Sequence, residues 1–212
     1  MNHVKTGGKR AEKARLTRLR MLEAARELFV RDGFGATPMQ EVADRAGVAV
    51  QTLFYTFGTK KALLKQVVDT TIAGDDEPVP TMGRPWFLEA VAEGDARAAL
   101  DLYVAGAGRV LARVAAVTEM LRIAAATDPA VRTLWGEEAP ADPRYTVQLA
   151  FAEVFAAKRG AAPGRGAAEA ADELYGVLSP ELYLVFVRDR GWTHDRWEGW
   201  ARGVLASRLC AP

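Results

Sequence analysis

The stretch Thr37–Lys60, TPMQEVADRAGVAVQTLFYTFGTK, decides how this chain is read. Thr37 and Gln40 stand at the Ser/Thr-x-x-Glu/Gln spacing of a capping box, with Pro38 at the first helical position, where its missing N–H costs nothing. A helix is expected to start there. Val42, Ala43 and Ala46 give it one apolar side against Gln40, Glu41, Asp44 and Arg45, and Gly47 supplies the left-handed residue that ends a helix. From Val50 to about Thr56 a second short helix is expected to bury Leu53 and Phe57, leaving Val50, Gln51, Thr52, Tyr55 and Thr56 outward or sideways. That face is small, hydroxylated and amide-bearing, which suits a base edge or a phosphate better than a protein core. Two helices joined through a Gly turn make a helix-turn-helix, whose second helix enters the major groove of DNA.

The charge pattern agrees. The 212 residues carry a net charge of only +1, but residues 1–65 hold 13 Lys/Arg against 6 Asp/Glu, and the remainder holds 15 against 21. A basic segment carrying a helix-turn-helix and an acidic remainder form the electrostatic layout of a DNA-binding head on a body that need not touch DNA.

Thr37, Ala43, Ala46, Gly47, Val48, Thr52, Leu53, Phe57, Lys60, Leu63 and Leu64 fall in the register of a known family. On these residues the segment from about 15 to 66 resembles the amino-terminal domain of TetR-type transcriptional regulators. The resemblance implies a DNA-binding regulator, a homodimer on a palindromic double-stranded operator, and a small-molecule effector bound in the carboxy-terminal part. Repression relieved by the effector is the family's common mode. The resemblance also assigns Lys60 a phosphate contact. Three positions depart from the family pattern: Phe54 stands where a tyrosine is usual, Thr56 replaces a frequent histidine or tyrosine, and Ala49 replaces the serine that would cap the reading helix.

Within the reading helix, Gln51 is the best base reader, because its amide engages adenine in a bidentate way, and Val50 can pack on a thymine methyl. Thr37, Thr52, Tyr55, Thr56 and Lys60 are expected to position phosphates. Residues 1–14, with Lys5, Lys9, Arg10 and Lys13, read as a mobile basic arm that either stays solvated or touches phosphate or minor groove. Leu16, Leu19, Leu22, Ala25, Leu28 and Phe29 then recur at helical spacing up to Asp32-Gly33.

The expected organisation is the arm at 1–14, the DNA-binding domain at 15–66 and a helical effector-binding and dimerisation domain at 67–212. A helix capped by Thr59 runs from Lys60 to about Ala73. A Pro/Gly-rich loop separates it from a short helix at Trp86–Val91, and the longest helix follows at Asp95–Thr127. Arg144–Arg159 is apolar on more than one side, which makes it the first candidate for the dimer interface, with the helix from Ala167 or the Trp-rich last helix as the second. Ser179-Pro180 and Thr193 read as caps of late helices, and Trp192 and Trp197 stand at the spacing of a hydrophobic staple. No strand competes, so the fold is expected to be all-α, with about nine or ten helices. Trp86, Phe87, Tyr103, Thr118, Arg122 and Trp135 are candidate effector-lining residues. Arg122 falls at the margin of its helix's apolar stripe, where it either snorkels out to a carboxylate or serves as a polar handle in a cavity.

An enzyme is disfavoured. Only His3 and His194 offer imidazoles, Cys210 is nearly terminal, and no metal spacing, Ser/His/Asp order or phosphate loop appears, so neither metal nor cofactor is expected. One cysteine, no secretion leader and no apolar run of membrane-spanning length point to the cytoplasm and away from membranes. A sequence-tolerant architectural DNA binder without effector is the remaining alternative.

Overall fold

The computed structural model describes residues 5–74, 79–132, 134 and 142–211, with burial described from residue 8. Among these residues the chain is helical: α1 (Lys5–Asp32), α2 (Met39–Ala46), α3 (Val50–Phe57), α4 (Lys60–Ala73), α5 (Pro85–Ala92), α6 (Ala96–Thr127), α7 (Pro129–Arg132), α8 (Pro143–Phe155), α9 (Ala167–Val177), α10 (Pro180–Leu184) and α11 (His194–Leu209). No strand forms among them. Extended pairing is limited to single bridges, Asp95 with Arg159 and Ala161 with Cys210.

The chain divides into two compact units. The first comprises Met1–Thr71 and Val117–Trp135, and the second Ile72–Ala116 and Gly136–Pro212. In the first, Leu22, Leu28 and Phe29 of α1 pack with Val42, Ala43, Leu53, Phe57, Leu63 and Leu64, which fixes the helix-turn-helix on its support. Val117, Met120, Ala124 and Val131 belong to the same core. Packing thus gives the head a second segment that the expected boundary at residue 66 did not include.

The first helix begins at Lys5, so residues 5–14 continue α1 instead of forming a separate arm. A helix anchored by its packed part extends cheaply, since each further residue adds one hydrogen bond without a new nucleus. The Glu12–Arg15 ion pair at 2.9 Å supports this exposed stretch.

The capping box does not form. Thr37 is 1% exposed, and its hydroxyl donates to the carbonyls of Gly33 (2.9 Å) and Leu28 (3.3 Å). It therefore closes the end of α1, while α2 begins one residue later than expected, with Pro38 as its N-cap and no side-chain bond there. Gln40 reaches forward to Asp44. The turn follows the sequence reading. Gly47 lies at φ 67, ψ 41, its N–H donates to Asp44 O, and Val48 N–H donates to Ala43 O, the two bonds of a Schellman motif. Helix α3 starts from Ala49 without a side-chain cap, and Gly58 ends it at φ 74. Thr59 caps α4 by accepting from Ala62 N–H.

In the second unit Ser179 caps α10 and Thr193 caps α11, each through its hydroxyl. The expected continuous helix after Pro180 widens at Val185–Asp189 into a π-helical turn before Gly191 (φ 66) stops it. The staple is absent: Trp192 stacks on Phe186 at 4.5 Å and meets Trp200, whereas Trp197 is buried against Tyr183. Helix α8 ends at Phe155, short of the expected Arg159. Beyond it Lys158 extends its ammonium to the carbonyls of Val91 (2.7 Å) and Glu93, closing the end of α5. Burial pushes the pKa of this lysine down.

Candidate nucleic-acid interface and effector site

The reading face is set by the two residues α3 buries. At about 100° per residue, with the Leu53–Phe57 direction as zero, Tyr55 falls at about 180°. Gln51 and Thr52 lie at about 140° and 120° on either side, and Phe54 and Thr56 at about 80°. Exposure follows this wheel: Tyr55 is 94% exposed and Phe54 46%, and Gln51 and Thr52 are open to solvent. Thr56 is half-buried, its hydroxyl donating to Thr52 O at 2.8 Å. Val50, expected on a thymine methyl, is half-buried against the core of the first unit. It lies on the same side as Leu53, which explains the difference.

Two of the expected phosphate contacts are turned inward. Thr37 is buried with its hydroxyl spent on α1. Lys60 lies with its ammonium 4.5 Å from the Phe34 ring centroid and donates to Gly35 O at 3.3 Å. Burial pushes the Lys60 pKa down. The spacing that suggested a phosphate lysine carries no information on Phe34, which is 26 positions earlier in the chain.

Many arginines of the head are also matched internally. Arg45 pairs with Glu27, Arg31 with Asp32 and Glu41, and Arg26 with Glu23. Lys9, Arg10, Lys13, Arg20 and Lys61 are exposed and have no carboxylate within ion-pair distance among the described residues. They are the exposed, unmatched cations of α1 and α4.

In the second unit Trp86, Phe87 and Tyr103 do come together, with ring centroids 5.7 to 6.1 Å apart. Two residues that the sequence reading did not single out complete the cluster. Phe151 stacks on Tyr103 at 3.8 Å, and Gln148 accepts the Tyr103 hydroxyl at 2.7 Å. Burial pushes the Tyr103 pKa up, so the phenol stays neutral and donates. Trp86 lies against α6 at Gly106, where a Cβ would stand 2.1 Å from the indole ring. Thr118 and Arg122 belong to the first unit, half-buried and exposed respectively, so the structure does not bring them into this cluster. Trp135 lies outside the described residues.

Helices α8 and α9 pack on each other, with Tyr145 against Tyr175 and the Arg144 guanidinium 3.7 Å from the Tyr175 ring centroid. Val154 stays exposed on α8, with Val147 and Leu149 half-buried. No described helix is long and apolar enough to cross a membrane, and no group of three or more His, Cys, Asp or Glu among the described residues is arranged to hold a metal.

Comparison with known proteins bears on the same segment. The profile of the family described as bacterial regulatory proteins, tetR family, matches residues 21–67. The HTH-type transcriptional regulator RutR of Escherichia coli K12 is 36% identical over 74 residues, which span 33% of this chain and 35% of RutR. The match therefore spans about a third of the length of that relative. Over nearly the whole chain the fold is similar to a transcriptional regulator from Saccharomonospora viridis solved in complex with choline. That likeness has a TM-score of 0.67 at 19% identity and covers 92% of this chain and 98% of the other. It is also similar to the regulator FadR of Bacillus subtilis solved with stearoyl-CoA, with a TM-score of 0.66 at 16% identity, covering 89% and 97%. Residues 21–67, which contain the helix-turn-helix, thus match the tetR family of bacterial regulatory proteins, within a chain that is helical among its described residues.

Proposed function

We propose that this chain is a sequence-specific transcriptional regulator of the cytoplasm, a homodimeric repressor released from a palindromic operator by a small molecule. The observation that carries the reading is α3. It is held by Leu53 and Phe57 and introduced by the Gly47 turn, and it presents Gln51, Thr52 and Tyr55 to solvent on the basic part of the chain. That arrangement supports insertion in a major groove, with Lys9, Arg10, Lys13, Arg20 and Lys61 supplying the salt-dependent attraction to phosphates.

On this reading the effector binds at the aromatic cluster of Trp86, Phe87, Tyr103 and Phe151, with Tyr103 and Gln148 as the polar groups. Fold neighbours solved with choline and with stearoyl-CoA support a ligand-binding role for such a body. An effector that binds one spacing of the two heads better than another shifts the population away from the DNA-competent state. The apolar residues of α8, Val154 among them, are the first candidate for the homodimer contact. Chemistry on the effector is not part of this reading.

Fluorescence anisotropy of the full chain on its own upstream intergenic DNA and on a scrambled duplex of equal length, at physiological salt, tests it. A preference of about a thousandfold, the lower end for specific binders, is expected. Equal weak binding to both would favour the architectural alternative.

A further inference from the structure

We infer that Tyr55 reads a base, through apolar contact of its ring with a thymine methyl, and does not hold a phosphate. The inference rests on the proposed docking of α3 in the major groove. A helix lying in that groove turns the side chains opposite its support toward the base edges and those at its flanks toward the groove walls, where the phosphates run.

Tyr55 is the residue directly opposite Leu53 and Phe57 and the most exposed large side chain of the helix, at 94%. Its hydroxyl makes no hydrogen bond among the described residues. The flanks are poor in phosphate donors: Phe54 has none, and the Thr56 hydroxyl is engaged by Thr52 O. Val50, the other apolar residue that could meet a methyl group, is packed half-buried on the inner side. This leaves the Tyr55 ring as the largest apolar surface that α3 holds toward the groove floor, and thymine is the base that offers an apolar group there.

The register follows from helix geometry. Tyr55 stands four residues after Gln51, about 6 Å further along the axis. At about 3.4 Å per base pair, the thymine it meets lies one or two steps from the adenine that Gln51 engages.

The test uses the full-length protein and an operator selected with it from a random duplex pool. Each thymine of the selected duplex is replaced in turn by deoxyuridine, which removes only the methyl group. Wild-type protein and Tyr55→Phe, measured by anisotropy, are expected to lose roughly fivefold or more at one thymine per half-site and to bind the intact operator alike. Tyr55→Ala is expected to bind the intact operator weakly and to be indifferent to that deoxyuridine. Circular dichroism melts check that the variants remain folded.

A Tyr55→Phe loss as large as that of Tyr55→Ala, uniform across all the deoxyuridine duplexes, would mean a phosphate contact and overturn the inference. So would a methyl dependence that survives in Tyr55→Ala. If the pool returns no enriched sequence, the regulator reading itself fails and takes the inference with it. A selected operator with no deoxyuridine-sensitive thymine overturns the inference alone.

Discussion

The hydroxyl of Thr37 lies 2.9 Å from the carbonyl oxygen of Gly33, and that bond faces the protein interior. Thr37→Val keeps the shape but leaves two carbonyls at the end of α1 without this donor. A stability loss of about 1–2 kcal/mol is expected in urea unfolding. Operator affinity of the folded fraction should be unchanged, because the side chain is not at the DNA face. A variant of wild-type stability with weakened DNA binding would restore the phosphate role that its position in the sequence suggests.

Ala49 gives α3 no side-chain cap. Ala49→Ser places an oxygen within reach of the orphan N–H groups of the first turn and is expected to stabilise the head by about 1 kcal/mol. Denaturant midpoints of the two proteins measure this directly. An unchanged midpoint would show that the first turn is already satisfied by solvent.

Lys60 and Lys61 are adjacent but differ in their surroundings. Lys61→Ala is expected to lower the slope of log K against log salt by about 0.9, the signature of one lost phosphate contact. Lys60→Ala should leave that slope alone and act on stability, because it removes the ammonium packed over Phe34. Anisotropy titrations at four salt concentrations separate the two outcomes.

Gly106→Ala would place a Cβ 2.1 Å from the Trp86 ring. The indole must leave its seat, at a cost of about 1–3 kcal/mol typical of overpacking. In the double variant with Trp86→Ala the clash disappears, so the two costs should fall well short of additive. Thermal denaturation of the four proteins closes the cycle.

Glu173 accepts hydrogen bonds from Arg208 and Arg165. Burial alone would raise its pKa, but the bonds and charges of the two arginines outweigh it and hold the carboxyl below its ordinary value of 4.5. The group therefore contributes stability that is present above pH 4.5 and is lost as pH falls through the lowered value. The melting-temperature difference between wild type and Glu173→Gln should be largest near pH 7 and shrink in strong acid. A constant difference across that range would remove the ionic explanation.

Particular residues show where the sequence was legible. Gly47, Ser179 and Thr193 each act within a few positions of their partners, so spacing alone predicted the Schellman turn and the two caps. Thr37 was read from its spacing as opening α2, whereas its hydroxyl goes to carbonyls four and nine positions earlier at the end of α1, which periodicity does not rank. The Lys60–Phe34 and Tyr103–Gln148 contacts join residues 26 and 45 positions apart, so local spacing could not reveal them. Trp192 fitted a staple by spacing, but it packs instead on the rings of Phe186 and Trp200.

Lys158, which holds the carbonyls at the end of α5, is the only lysine after residue 65. Apart from His194, arginine supplies every other basic side chain of that long stretch. An amine-reactive reagent therefore has one side-chain target there, half-buried and less basic while it holds these carbonyls. The chain thus carries one native amine beside the end of α5, and a change in the rate at which Lys158 is acylated reports on that contact without any label having to be engineered in.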